Sequence, residues 1–557
     1  MQNQTLLRLQ QISFASLCAL GLLASSQAAT ELTFLKTRGQ DIINGNGDKV
    51  MLRGVGLGNW MLPEGYMWKF GKEADRPRRI EKLVSDLLGP AEARDFWTNF
   101  RANYITETDI TRISELGFNS VRPALNARLF LVGDNYATAD SEGFRLLDNL
   151  VGWCKQHRVY VIIDMHGAPG GQTGQNIDDS ANDQPELFMN PKHQQELVAL
   201  WTAIARRYKD EPAVAGFDLL NEPLPSRTGA AGKFKKELEP LYKRLTKAIR
   251  AVDSKHMVIV EGFDWANDWS EFTKPFDPNL VYQFHYYCWD TPVRLKGIGH
   301  YLSYRDRFNA PVWVGETGER DSAIYWATTE YFEARNIGWC FWPWKKMDAE
   351  NGPYSCKRPP GWDAVVAYSQ GETKPTSEVA SNAFAQLLKN VRLENCDYHP
   401  NVVNAMLRRV PLRIEAENFG QEGKGASYSV QTDAHSKFYR LDDPVSVTVV
   451  DSQRRRSEQY ITLNAGEWTA YKVDNQKPAQ FELSIRARAE KDAEAELQLD
   501  GRSFVLKIPA GAWAEQKLGP VTLEAGAHQV KWTVTRGQAD LDWIGVNAGP
   551  QVPQKDS

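Results

Sequence analysis

Four apolar, β-branched runs of this chain close on reactive side chains: DMHG on Asp164 and His166, LLNEP on Asn221 and Glu222, FHYY on His285 and Tyr287, and VGETG on Glu316. A fifth, FWPWK, adds Trp342 and Trp344. Two carboxyl groups aimed into one mouth suit displacement at an acetal carbon. One carboxyl protonates the leaving oxygen while the other attacks the carbon or activates water, which is the chemistry of glycoside hydrolysis. Either glutamate alone would read as an ordinary loop carboxylate. Flanked by His, Tyr and Trp at neighbouring strand ends, Glu222 and Glu316 read as a site. An alternative on the same residues is a zinc centre built from Asp164, His166 and His285.

Such residues need a scaffold that brings distant strand ends together. Eight strand-like runs precede residue 400, at 51–57, 118–125, 159–167, 213–223, 257–262, 280–287, 311–318 and 338–345. Amphipathic stretches such as FRLLDNLVGWCKQHR separate most of them, and this alternation predicts an α/β fold, a (β/α)8 TIM barrel, over 32–400 with an N-terminal hairpin in TRGQDIINGNGDKV. In such a barrel the C-terminal strand ends carry the chemistry. After NVVNAMLRRVP the helical period gives way to short alternating runs with Gly, Pro, Asn and Asp turns. Residues 412–548 are therefore expected to form an all-β sandwich, and 549–557 a disordered tail.

Composition bounds the function class. The chain has 557 residues, 42% hydrophobic and 24% charged, with a formal charge of −4; this excludes a mainly disordered chain and leaves no basic footprint for nucleic acid. No stretch is long and apolar enough for a membrane span, and the oligomeric state is open. Residues 1–28 carry an apolar core and small residues Ser26 and Ala28 before a cleavage point, the pattern of a signal peptide for a secreted, extracellular or periplasmic protein. Cys356 and Cys396 could pair in an oxidising compartment, whereas Cys154 and Cys340 sit among core residues. Among 18 tryptophans, Trp60, Trp289 and Trp344 are candidate cleft walls. Trp513, in the turn-like PAGAWAEQ, is a candidate sugar platform on the sandwich, with Tyr439 a second; Trp468, Trp532 and Trp543 alternate within strands as core does.

Over nearly the whole barrel the motifs VRP (121–123), DMHGAPGGQTG (164–174), LLNEP (219–223), FHYY (284–287), VGETG (314–318) and FWPWK (341–345) resemble glycoside hydrolase family 5. LRGVGLGNW together with DMHGAPGGQ is similar to its exo-β-1,3-glucanase-like branch. The resemblance implies Glu222 as acid/base and Glu316 as nucleophile, with Asn221 on the sugar 2-hydroxyl. It implies Arg122 and Tyr287 beside Glu316, His166 and His285 near the sugar or the carboxylates, and Trp342 as the floor under the reacting sugar. No cofactor is implied for catalysis. The loop QNIDDSANDQPELFMNPKHQ and the continuation PALNARLF depart from that branch, which leaves the outer subsites open. RIEAENF (413–419), EWTAYKV and LDWIGV (541–546) resemble carbohydrate-binding modules of families 6 and 35. That resemblance implies a structural calcium ion at Glu415, Glu417 and Asp542.

The expected function is a secreted retaining hydrolase of β-glucan polysaccharide or oligosaccharide, acting by preference on β-1,3-glucan in exo fashion. The alternatives are a β-1,4-glucanase or other β-glycosidase and, from another class, a non-catalytic glycan-binding protein; the sandwich could also be purely structural.

Overall fold

The computed structural model describes residues 31–136, 140–226, 229, 231–288, 295 and 297–549, apart from 432, 437–438 and 451–457. The leader-like segment, Trp289 and nearly all of the tail lie outside them. A short hairpin, Lys36–Arg38 against Asp41–Ile43, precedes the barrel. The barrel strands are β1 (Arg53–Leu57), β2 (Ser120–Asn126), β3 (Tyr160–Gly167), β4 (Val214–Asp218), β5 (Met257–Glu261), β6 (Leu280–His285), β7 (Val312–Gly318) and β8 (Gly338–Trp342). All pair in parallel, and β8 closes on β1 through Trp339↔Arg53. Seven of the eight expected runs contain one of these strands, and the eighth, 118–125, contains all of β2 but Asn126.

Strand periodicity sets what fills the barrel. Side chains two apart share a face, so Tyr160 and Ile162 on β3, Met257 and Ile259 on β5, and Val281 on β6 form an apolar layer at the N-terminal end with Trp313 and Cys340. Leu35, beside the hairpin, joins this layer. One step further along the same faces come Asp164, Glu261 and Gln283, all buried. The mouth follows. Between β1 and β2 the chain inserts helices Pro77–Leu88, Pro90–Tyr104 and Glu107–Glu115. The loop after β3 folds back on the first of these. Asp178 accepts from the backbone N–H of Thr173 and Gly174, and Asp179 is paired with Arg78 and Arg128. That loop forms a wall of the mouth.

Two tryptophans expected at the cleft are core instead. Trp60 is 1% exposed and donates to the Arg101 carbonyl; Trp344 is fully buried and donates to Asp109. Their indole N–H groups find partners inside the protein, so neither ring faces the cavity. Cys356 and Cys396 are free thiols, with their sulfurs 3.5 Å apart.

The second unit comprises β9 (Leu412–Glu415), β10 (Tyr428–Ser429), β11 (Ser446–Val449), β12 (Gln459–Asn464), β13 (Trp468–Asn475), β14 (Ala479–Arg488), β15 (Ala493–Leu499), β16 (Arg502–Ile508), β17 (Ala514–Leu523), β18 (Gly526–Arg536) and β19 (Gln538–Ala548). Strands β11-β12-β19-β14-β17 make one sheet, with β9 also on β19, and β10-β13-β18-β15-β16 make the other. Alternate residues such as Ile461, Leu463, Leu483, Ile485, Leu497, Trp532 and Leu541 form the core between them. Tyr439, expected as a platform, is buried. Trp468 and Trp543, expected in the core, are half-buried, with Lys531 over one ring and Arg413 over the other.

The sandwich is joined to the barrel by packing. Trp326, on the helix Ser322–Glu333 that connects β7 to β8, belongs to the sandwich core. Glu333 of that helix takes Arg53, at the start of β1, and Arg408. Burial would raise Glu333, but these two arginines hold it down to about 2. Arg409 donates to the Leu116 carbonyl, Gln476 to Glu115 and Asn418 to Ala323. Most of these contacts lie near the N-terminal ends of β1 and β2, the end of the barrel opposite the mouth. Replacing Trp326 with Ala should therefore lower the unfolding free energy by about 3–5 kcal/mol in urea denaturation, and deleting 412–557 should lower the thermal midpoint of the barrel. A barrel equally stable without 412–557 would rule out a shared core.

Candidate active site

Below the mouth, the middle polar layer gathers around Arg122, the third residue of β2, whose side chain is fully buried. Its Nε donates to Asp218 Oδ2 at 2.8 Å, its Nη1 to Glu316 Oε1 at 2.7 Å, and its Nη2 to both Asn221 Oδ1 and Glu261 Oε1 at 2.9 Å. Asp164 Oδ1 lies 3.1 Å from the same Nη2. One cation thus faces four carboxyl groups. Burial pushes Asp164 and Asp218 well above the ordinary carboxylate range. Burial acts on Glu261 and Glu316 too, yet neighbouring His285 and Arg122 hold both below their ordinary value. Burial thus favours the neutral form of Asp164 and Asp218, while Arg122 and His285 favour the ionised form of Glu261 and Glu316.

The two glutamates sit above this layer and differ in state. Glu316, on β7, accepts from Arg122 on one oxygen and from Tyr287 Oη at 2.7 Å on the other. Glu222 follows β4 and is pushed up to about 7, first by burial, with His285 opposing and Glu316 and Glu261 assisting. His285 would lose its proton to burial alone, but Glu316, Glu261 and Glu222 raise it well above its usual value, so it donates Nδ1–H to Glu222 Oε1 at 2.7 Å. The same Nδ1 lies 3.5 Å from Glu316 Oε2. Ligand atoms of Glu222, His285 and Glu316 fall within 4.8 Å of one another, the set of three that does so among the described residues. Asp164, His166 and His285 form no such set, so the zinc alternative lacks its geometry.

Trp342, at the end of β8, forms the floor. Its ring lies parallel to His166, 5.2 Å between centroids, and its Nε1 donates to Tyr66 Oη at 3.0 Å. Glycines 56 and 58 of LRGVGLGNW explain how the ring fits, because a Cβ on either would fall inside its van der Waals envelope. Burial drives His166 down to about 3, leaving a neutral ring with Nδ1 2.7 Å from Asp164 and Nε2 3.3 Å from the Asn221 amide nitrogen. Gln172 of the β3 loop donates to the carbonyls of His166 and Asn221, which locks both loops.

Of these side chains, Tyr66, His166, Glu222, His285, Tyr287, Glu316 and Trp342 line a cavity of about 500 Å³ with Glu64, Asn176, Ile177, Trp265 and Glu319, while Arg122 and Asn221 stand behind the lining. A cavity of this volume with convergent polar groups has the size of a ligand site. The structure thus brings together Arg122, His166, Asn221, Glu222, His285, Tyr287, Glu316 and Trp342. Reading the strand ends missed Glu64, Asp218, Glu261, Gln283 and Trp265. For Glu261 and Gln283 a signal existed, since each continues the inward-facing alternation of an otherwise apolar strand. Glu64, a buried carboxyl on the cavity wall that burial and then Glu316 push well up, lies in a loop without periodicity.

The sandwich candidates stand apart from this cavity. Trp513 is half-buried against the edge of Tyr460, with Arg488 and Arg486 over its ring at 4.7 and 5.3 Å. Glu415 is paired with Arg413, and Asp542 with Arg486. Glu417 is buried, with one carboxyl oxygen lacking a hydrogen-bond partner, as does the amide oxygen of its neighbour Gln459.

Residues 88–348 match the family model described as cellulase (glycosyl hydrolase family 5). Over 260 residues the chain is 30% identical to a beta-xylosidase of Phanerodontia chrysosporium, covering 46% of this chain and 52% of that one. It is 26% identical over 385 residues to a probable glucan 1,3-beta-glucosidase A of Emericella nidulans, covering 58% and 89%. It is 30% identical over 186 residues to endoglucanase C of Acetivibrio thermocellus, covering 33% and 50%. The chain spans about half the length of the first and third of these relatives. These matches place the similarity to glycosyl hydrolase family 5 on residues 88–348, the stretch that carries Glu222 and Glu316.

Proposed function

We propose that this protein is an exported retaining glycoside hydrolase that cleaves β-glucosidic bonds of a β-glucan, by preference β-1,3-linked and from a chain end. The observation that carries the reading is the pair Glu222 and Glu316. Their nearest oxygens lie within 4.8 Å, in keeping with the short carboxyl separation of about 5–5.5 Å used for double displacement, and their proton affinities are driven apart. Glu316, ionised beside Arg122, His285 and Tyr287, attacks the anomeric carbon. Glu222, protonated, gives its proton to the leaving oxygen. Once Glu316 is bonded to the sugar its charge is gone, and Glu222, now a carboxylate, takes a proton from the water that releases the sugar. Asn221 is held by Arg122 close to His166, where it can meet the sugar hydroxyl next to the reacting carbon, while Trp342 carries the ring face.

Linkage and mode rest on softer support. The relative described as a glucan 1,3-beta-glucosidase is matched over most of its length, and the folded β3 loop adds Asn176 and Ile177 to the cavity wall. Both favour a β-1,3 pocket. Matches to an endoglucanase and a beta-xylosidase keep a β-1,4-glucanase or another β-glycosidase as the second reading. Trp265, on the β5 side beside Glu222, is suited to the departing sugar. Export follows from the leader-like first 28 residues. On the sandwich we propose that Trp513 contacts glucan and that Glu415, Glu417 and Asp542 close on a structural calcium ion, although as they stand their ligand atoms form no set within 4.8 Å of one another. The unsatisfied buried oxygens of Glu417 and Gln459 fit an oxygen-seeking cation in donor chemistry.

Five outcomes are expected. Glu316→Gln should cut turnover on an aryl β-glucoside by at least about 10³-fold, azide should rescue Glu316→Ala with an inverted glycosyl product, and kcat/KM should fall as pH rises through about 7, where Glu222 loses its proton, and again as Glu316 gains one below the ordinary carboxylate range. Full activity of Glu316→Gln would overturn the assignment. On laminarin and carboxymethylcellulose the protein should release glucose from the first and little from the second; mixed oligomers from carboxymethylcellulose would favour the β-1,4 reading. A chelator should lower the thermal midpoint by several degrees, reversed by Ca2+, and an unchanged midpoint would remove the calcium proposal.

A further inference from the structure

Glu261 is the buried carboxylate the reaction above does not use. It ends β5, the third inward position after Met257 and Ile259, and it is fully buried. It lies outside the cavity lining, behind Glu222 and His285. Its two oxygens nevertheless reach both halves of the reacting pair. Oε2 accepts the backbone N–H of Glu222 at 2.7 Å. Oε1 accepts Arg122 Nη2 at 2.9 Å, takes the Gln283 amide, and lies 3.4 Å from His285 Nε2. Arg122 in turn grips Glu316, and His285 donates to Glu222.

The contact with Glu222 matters because of the backbone there. Glu222 has φ of 39°, in the left-handed region that residues other than glycine seldom occupy. The ladder of β4 ends at Asp218, so the Glu222 N–H has left the sheet and would be a buried, unpaired donor without another acceptor. Leu224, at φ of 50°, repeats the pattern, and its carbonyl accepts from Asp264 N–H at 3.3 Å, while Ser226 N–H donates to Asp264 Oδ1 at 2.8 Å. The loop that carries the proton donor is therefore laced to β5 and its following turn, and Glu261 holds the end nearest the chemistry.

We propose that Glu261 is a positioning residue for proton transfer: by accepting the Glu222 amide while facing Arg122 and His285, it holds the acid's strained backbone in the conformation that aims the carboxyl at the leaving oxygen. The proposal rests on reading Glu222 as the acid and Glu316 as the nucleophile. It predicts a defect confined to the acid's step. Glu261→Gln keeps size and shape, but its amide nitrogen must face either the Glu222 N–H or Arg122 and Gln283, each a donor.

The test uses the full-length protein and two aryl β-glucosides, one with a leaving group that departs without protonation (2,4-dinitrophenyl) and one that needs it (phenyl). For Glu261→Gln, kcat/KM on the phenyl glucoside should fall on the order of 10²-fold, on the dinitrophenyl glucoside less than about fivefold, with circular dichroism unchanged. The basic limb of kcat/KM, measured with the phenyl glucoside, should move to lower pH, because a neutral amide no longer opposes ionisation of Glu222; Arg122, Asp164, Asp218, His285 and Glu316 are the other charged or titratable groups facing this pair. Should Glu261→Gln unfold, Glu261→Asp, which keeps the charge but withdraws the oxygen from the Glu222 amide, is expected to show the same leaving-group dependence. Equal losses on both substrates, or none on either, overturn the proposal and leave the functional reading intact if Glu316→Gln is inactive. Wild-type inactivity on both glucosides, or full activity of Glu316→Gln, overturns the functional reading and the proposal with it.

Discussion

One guanidinium in the barrel interior governs the site. Arg122 is buried without solvent, and a charge there is tolerable only if opposite charge and hydrogen-bond acceptors surround it. Asp164, Asp218, Glu261 and Glu316 supply them, each from a different strand. Four negative charges against one positive charge would be as costly as none. Burial counters this by pushing Asp164 and Asp218 towards their neutral forms, while the carboxyls around His285 raise it and favour a second cation opposite Glu261 and Glu316. The lowered proton affinity of Glu316 follows from His285 and Arg122 beside it, and the raised one of Glu222 from burial that its contact with His285 only partly offsets.

The barrel makes such a balance possible by stacking its interior in layers. The apolar layer of Tyr160, Ile162, Met257, Ile259, Val281 and Trp313 supports the structure from below. The polar layer above it spends that rigidity on placing Arg122. At the mouth, Trp342 is fixed by the absence of side chains on Gly56 and Gly58 as much as by its own contacts. The geometry of the site thus depends on residues of β1 and β5 that lie outside the cavity lining.

The sandwich contributes at the other end. Because Trp326 of a barrel helix lies in its core and Arg53, Glu333 and Arg408 form a continuous ion-pair chain across the junction, its packing bears on barrel stability. Trp513 and its arginines lie on the sandwich itself, apart from the cavity.

By itself the sequence determined the eight strands and the identity of the residues at their C-terminal ends. Parallel barrel strands are short apolar runs whose closing residue must face the mouth, so Glu222, Glu316, His166, His285 and Trp342 were legible from pattern and motif. Only the tertiary structure decided which aromatic rings are walls and which are core. Trp60 and Trp344 share the composition of cleft residues, but their indole N–H groups pair inside. It also decided the proton states and the part played by Glu261, because these depend on distances between strands remote in sequence and on burial, and neither quantity is carried by local periodicity. The alternation of β5 does mark Glu261 as inward-facing; that it meets the amide of Glu222 follows only from the registry of β4 on β5 and the left-handed turn between them and the mouth.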